Sequence, residues 1–148
     1  MNDESVYSVA NINGDISSPN LKGIAYFKPF KDGTMVEIEV FNLPGFKNYE
    51  IFPIHIHDGE NCNISKEGAF NNIKGHYNPT NENHPYHAGD MPILFSNNGY
   101  AYLKFYTTRF KAYEVENKFV IIHEAVKNEN TTEFGRKIGC GKITKYKI

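Results

Sequence analysis

Residues 31–41 read KDGTMVEIEVF, and within them Val36, Ile38 and Val40 are separated by Glu37 and Glu39. A period of two is the period of a β-strand, whose side chains alternate between two faces. Asp32-Gly33 directly before it is turn chemistry for a tight hairpin, so the strand has an antiparallel neighbour. The same texture, rich in β-branched and aromatic residues, recurs at residues 6–12, 23–27, 50–56, 100–106, 118–123 and 137–146. Asn13-Gly14, Pro44-Gly45 and Asn98-Gly99 mark further turns. Seven or eight short strands between turns predict an all-β antiparallel sandwich or barrel, in one domain over residues 1–148. Residues 58–91 and 124–135 lack the pattern and read as two long loops, which in a compact domain carry function or are disordered.

Bulk properties narrow the partners. A net charge of -1 over 148 residues, with the signs interspersed, gives no footprint for nucleic acid or an anionic membrane. No apolar run reaches the length of a membrane span, and MNDESVYSVANINGD has neither the basic start nor the apolar block of a signal peptide. The expectation is a cytoplasmic chain, although a secreted or periplasmic protein given a new initiator Met would read the same. Cys62 and Cys140 are too few for a disulfide scaffold and are not spaced as a zinc ribbon. They are either free thiols, the expectation in an intracellular protein, or one long-range bridge.

Residues 75–90, GHYNPTNENHPYHAGD, hold three of the six histidines and no Val, Ile, Leu, Met or Phe. Such a stretch cannot offset its ordering entropy by burial, so it is either a polar surface loop or one fixed by something other than a core. His76, His84, His87 and Asp90 point to a metal ion, since imidazoles with one carboxylate are an ordinary tetrahedral zinc set. His55 and His57 end a predicted strand and project from the same side, about 7 Å apart, a span that two imidazoles can close around one ion. His123 ends another predicted strand, after four apolar residues. Every histidine thus falls at a strand end beside a long loop or inside that loop, which argues for one shared metal site.

His55-Ile56-His57, Gly75-His76-Tyr77-Asn78-Pro79, His87-Ala88-Gly89-Asp90, Val120-Ile121-Ile122-His123 and Cys140-Gly141 resemble, in order and at most spacings, the motifs of the copper/zinc superoxide dismutases. The resemblance spans essentially the whole domain, and the short His84-Pro85-Tyr86-His87 segment is similar to a bacterial, short-loop subgroup. It implies an immunoglobulin-like Greek-key sandwich or flattened barrel with two long functional loops. It implies copper ligands His55, His57, His76 and His123, zinc ligands His76, His84, His87 and Asp90, with His76 shared, and a Cys62–Cys140 disulfide. It also implies an antioxidant oxidoreductase that cycles Cu(II)/Cu(I) to turn superoxide into dioxygen and hydrogen peroxide, with a structural zinc. Family members are commonly homodimers, and the ten Tyr and eleven Phe of this chain could serve such an interface.

Three positions depart from the family pattern. Three residues before Cys140, where the family has its active-site arginine, stands Lys137, with Arg136 beside it. The two cations point to opposite faces of a strand; Lys137 is the expected one at the copper, and a bulge is expected to favour Arg136. An aspartate that bridges the two metal sites in the family is replaced by Lys127, with Asn128 next. The second loop, with Glu124, Lys127, Glu129 and Glu133, is short and no more basic than acidic. The complete ligand set favours a dismutase; the departures favour a copper/zinc-binding protein with weak or no dismutase activity.

Overall fold

Alternation along residues 35–41 is resolved as expected: Val36, Ile38 and Val40 lie in the core, while Glu37 and Glu39 face outward and accept from Tyr102 and Tyr100. The computed structural model describes residues 6–45, 49–65, 68–127 and 135–147. Its elements are β1 (Val6–Gly14), β2 (Lys22–Phe30), β3 (Gly33–Phe41), β4 (Tyr49–Phe52), β5 (Ile54–Gly59), β6 (Ile64–Ser65), β7 (Gly68–Ala69), β8 (Ile73–His76), β9 (Leu94–Asn97), β10 (Ala101–Thr107), β11 (Phe119–His123) and β12 (Lys137–Lys147), with one 3-10 turn at Ala112–Val115. Among the described residues no helix is long and apolar enough to cross a membrane.

Eight strands form one antiparallel sheet in the order β10-β3-β2-β1-β12-β11-β5-β8. Pro53, which has no N–H to give a ladder, breaks the run from residue 49 to residue 59 into two strands. The first, β4, pairs with β9 and the second, β5, with β11 and β8. Because β9 turns into β10 through Asn98 and Gly99, both at positive φ, the sheet curls back on itself into a flattened barrel. The connections β3 to β4 and β10 to β11 each skip two neighbouring strands, which is Greek-key topology.

The barrel is filled by inward side chains such as Ile12, Phe27, Ile38, Phe52, Ile54 and Ile122, each contributing about 2 kcal/mol by burial. A smaller cluster, Phe70, Ile73, Phe119, Ile121 and Cys140, lies on the outer side of β11 and β12. Cys62 packs against it and is bridged to Cys140, with Cα atoms 5.8 Å apart and a sequence separation of 78. Of the two states left open for the cysteines, the bridge is therefore the one formed.

Two expectations are corrected. Residues 58–91 are not one unstructured loop, because β6, β7 and β8 lie within it; these strands have two to four residues, too short to show a period. The β2–β3 hairpin turns on Lys31 and Asp32, with Lys31 at φ 52°, and Gly33 already pairs with Phe30. Gly33 is needed for a close approach: a Cβ there would stand 2.2 Å from the Thr107 carbonyl oxygen. In the second loop, residues 128–134, with Asn128, Glu129 and Glu133, lie outside the described residues.

Candidate metal centre

Strand alternation sorts the histidines to one surface. Ile54 and Ile56 of β5 enter the barrel, so His55 and His57 face the other way; Val120 and Ile122 of β11 do the same for Phe119, Ile121 and His123. Register completes the set, since His55 lies opposite Ile121, His57 opposite Phe119 on one side and His76 on the other. The His123 N–H donates to Pro53 O at 2.9 Å. One ring nitrogen from each of His55, His57, His76 and His123 falls within 4.8 Å of the others.

Backbone carbonyls fix how two of these rings point. His57 Nδ1 donates to Lys74 O and His123 Nδ1 to Gly135 O, both at 2.8 Å, because a carbonyl can only accept. Each neutral ring then turns its Nε2 lone pair inward, and the two Nε2 atoms are 3.5 Å apart, a separation that two bonds of about 2 Å to one ion can span. Burial, with neighbouring imidazoles adding to it, pushes the His55 pKa down to about 2. Burial likewise lowers His57 to about 3, against the Lys74 hydrogen bond. His123 and His76 are lowered too, again chiefly by burial. A neutral imidazole offers one unprotonated ring nitrogen to a metal, so the donor set fits a cation.

The second half is organised by Asp90, whose buried carboxylate meets three Nδ1 atoms: His76 at 2.9 Å, His84 at 3.2 Å and His87 at 3.2 Å. His76 Nδ1 and His87 Nδ1 are 3.1 Å apart, and His87 N–H donates to Asp90 Oδ2 at 2.9 Å. A carboxylate ringed by imidazole nitrogens is a site for a cation shared among them. One group of four here is His55, His76, His84 and Asp90, with ligand atoms within 4.8 Å of one another; His87 reaches it through His76 and Asp90. His55 enters because it is the bridge partner of Asp90 and stacks on His76 with ring centroids 4.0 Å apart.

Main-chain hydrogen bonds also tie the loop to β5. Tyr77 N–H donates to Ile56 O and Ile56 N–H to Gly89 O, both at 2.8 Å, while Gly89 N–H donates to Tyr77 O. A Cβ on Gly89 would lie 2.4 Å from the Ile56 carbonyl oxygen, so the chain passes there only as glycine. Ala88, Asp90 and Met91 are buried as the stretch returns to the barrel.

The two candidate cations are separated by a bulge. Opposite β11 the pairing steps from Ile122–Gly139 to His123–Lys137, leaving Ile138 unpaired. Ile138 is in the barrel core, whereas Cys140 faces the outer cluster; regular alternation would have put both on one face. The bulge therefore turns Lys137, opposite His123, to the histidine surface, contrary to the expectation that a bulge favours Arg136. Lys137 depresses the His57 and His123 pKa values. Arg136 instead pairs with buried Asp15, and its Nε stands 4.0 Å from Glu124. Lys127, at the place of the family's bridging aspartate, is exposed.

Sequence reasoning missed the orienting carbonyls of Lys74 and Gly135, which have no side-chain signature. It also missed Asp15, whose only signal is its place in the turn after Asn13-Gly14. Comparison with known proteins yields no match among curated sequences. The profile described as copper/zinc superoxide dismutase matches residues 21–143.

Proposed function

Because the chain belongs to the copper/zinc superoxide dismutase family, we propose that it converts two superoxide anions and two protons into dioxygen and hydrogen peroxide. In this reading His55, His57, His76 and His123 hold copper, and His76, His84, His87 and Asp90 hold zinc. The observation that carries it is His76: it shares membership of both side-chain groups with His55, and it turns its Nδ1 to Asp90 at 2.9 Å, leaving its second nitrogen for the other group. Bound copper supplies one-electron exchange with superoxide, and zinc supplies fixed charge and position.

The chain's own residues do the rest. The Lys74 and Gly135 carbonyls hold His57 and His123 in the tautomer that offers Nε2. Lys137 attracts the anion and neutralises it beside His57, as a point charge without the planar fork of an arginine. His76 Nε2 would hold one of the two protons only when it is not bonded to copper. Exposed Lys127 in place of the bridging aspartate favours a second reading, a metal-binding protein that dismutates poorly. Superoxide decay by fast kinetics, on protein with one copper and one zinc counted per chain, tests the proposal. Turnover within about tenfold of the diffusion ceiling of ~10⁹ M⁻¹s⁻¹ supports it; slow turnover at full copper overturns it in favour of the second reading.

A further inference from the structure

The zinc half is built on a loop, and the described part of the second loop offers no carboxylate where the family has its bridging aspartate. A different residue holds that loop. Arg109 lies in the crossover from β10 to β11, and its Nη1 donates to Pro85 O at 2.8 Å, His87 O at 3.3 Å and Asp90 O at 3.4 Å. These three carbonyls belong to Asp90, to His87 and to the residue after His84, so one nitrogen gathers the backbone at all three loop-borne members of the group.

The base of Arg109 is rigid. The next residue, Phe110, is buried against Phe27, and Thr34 Oγ1 donates to Phe110 O at 2.7 Å. Ser8 Oγ donates to Ala112 O at 3.1 Å, and Arg109 N–H donates to Thr107 Oγ1. The crossover is thus bolted to β1 and β3, and the guanidinium transmits that rigidity to the loop. A planar, always-charged fork suits this task, and an ammonium on a flexible stem does not.

We infer that Arg109 is a positioning residue for zinc, holding His84, His87 and Asp90 in register with His76 from the β10–β11 crossover. The inference rests on the zinc site of the proposed function. Its test compares the metal-free full chain with Arg109→Met, which keeps the stem, and Arg109→Lys. Zinc and copper affinities are measured by chelator competition, and the visible absorption of Co(II) bound in place of zinc is recorded. The expected result is zinc affinity reduced about tenfold to a hundredfold in Arg109→Met, less in Arg109→Lys, with an altered Co(II) band. Copper affinity stays within about threefold, because His55, His57 and His123 stand on strands. Unchanged zinc affinity, or equal losses for both metals, overturns the inference while leaving the proposed function standing. A wild-type chain that takes up no zinc overturns the zinc site and the inference together. Should Arg109→Met fail to fold, the zinc-against-copper split in Arg109→Lys decides.

Discussion

Lowering the pH of the metal-free protein should weaken it by an amount set by its buried imidazoles. In the unfolded chain a histidine titrates near pH 6.5. In the folded protein His55 titrates at about 2 and His57 at about 3, both displaced chiefly by burial. Between those values the unfolded state binds protons that the folded state refuses, so stability is complete above about pH 6.5 and is lost as the pH falls towards the folded values. At about pH 5 each of the two sites costs about 2 kcal/mol, roughly 4 kcal/mol together, and lowered His76 and His123 act in the same direction. Against a typical net stability of 5–15 kcal/mol that is a large fraction. The assay is urea unfolding in chelator, read by tyrosine fluorescence since the chain has ten Tyr and no Trp. With a slope of about 2 kcal/mol/M, the midpoint should drop by about 2 M between pH 7.5 and pH 5. A midpoint that holds constant or rises over this range would refute the claim that the imidazoles are kept neutral by burial.

Replacing both Cys62 and Cys140 by Ser should cost about 4–5 kcal/mol in the chain-entropy account of a 78-residue separation, measured by denaturant titration. Lys137→Gln should lower superoxide turnover about tenfold and flatten its dependence on salt, whereas Arg136→Gln, which loses the Asp15 pair, should lower stability and leave turnover within about twofold. Gly89→Ala should destabilise the fold by about 2 kcal/mol, because its Cβ is driven into the Ile56 carbonyl; metal counting should show reduced zinc.

The strands that carry copper ligands were legible because their periodicity is local. Ile54-His55-Ile56-His57 states in four residues which side chains go in and which go out, and the barrel obeys it. Residues 73–76 could not be read that way: β8 is a strand by virtue of lying beside β5, a relation between positions 14 to 19 residues apart. The site was legible as a set of residue types, because imidazoles and a carboxylate have no other reason to crowd a stretch without apolar side chains. What the types do not encode is the scaffolding by main chain. The Lys74 and Gly135 carbonyls that set ring tautomers exist at every residue, and only the fold selects these two. Arg109 and Asp15 likewise became meaningful only when their partners, 19 to 24 and 121 residues away, were brought next to them. The sense of the Ile138 bulge was unreadable for the same reason, since it depends on which face Cys140 occupies.

That bulge makes the choice of cation a matter of chain length rather than of composition. Deleting the single codon for Lys137 would keep Ile138 as the bulged residue and move Arg136 into the slot opposite His123. A three-base deletion would thereby exchange an ammonium for a guanidinium at the histidine surface with no new residue written into the gene. Indels at this point, and not only point substitutions, are therefore a route by which related genes can retune the charge that meets an anion.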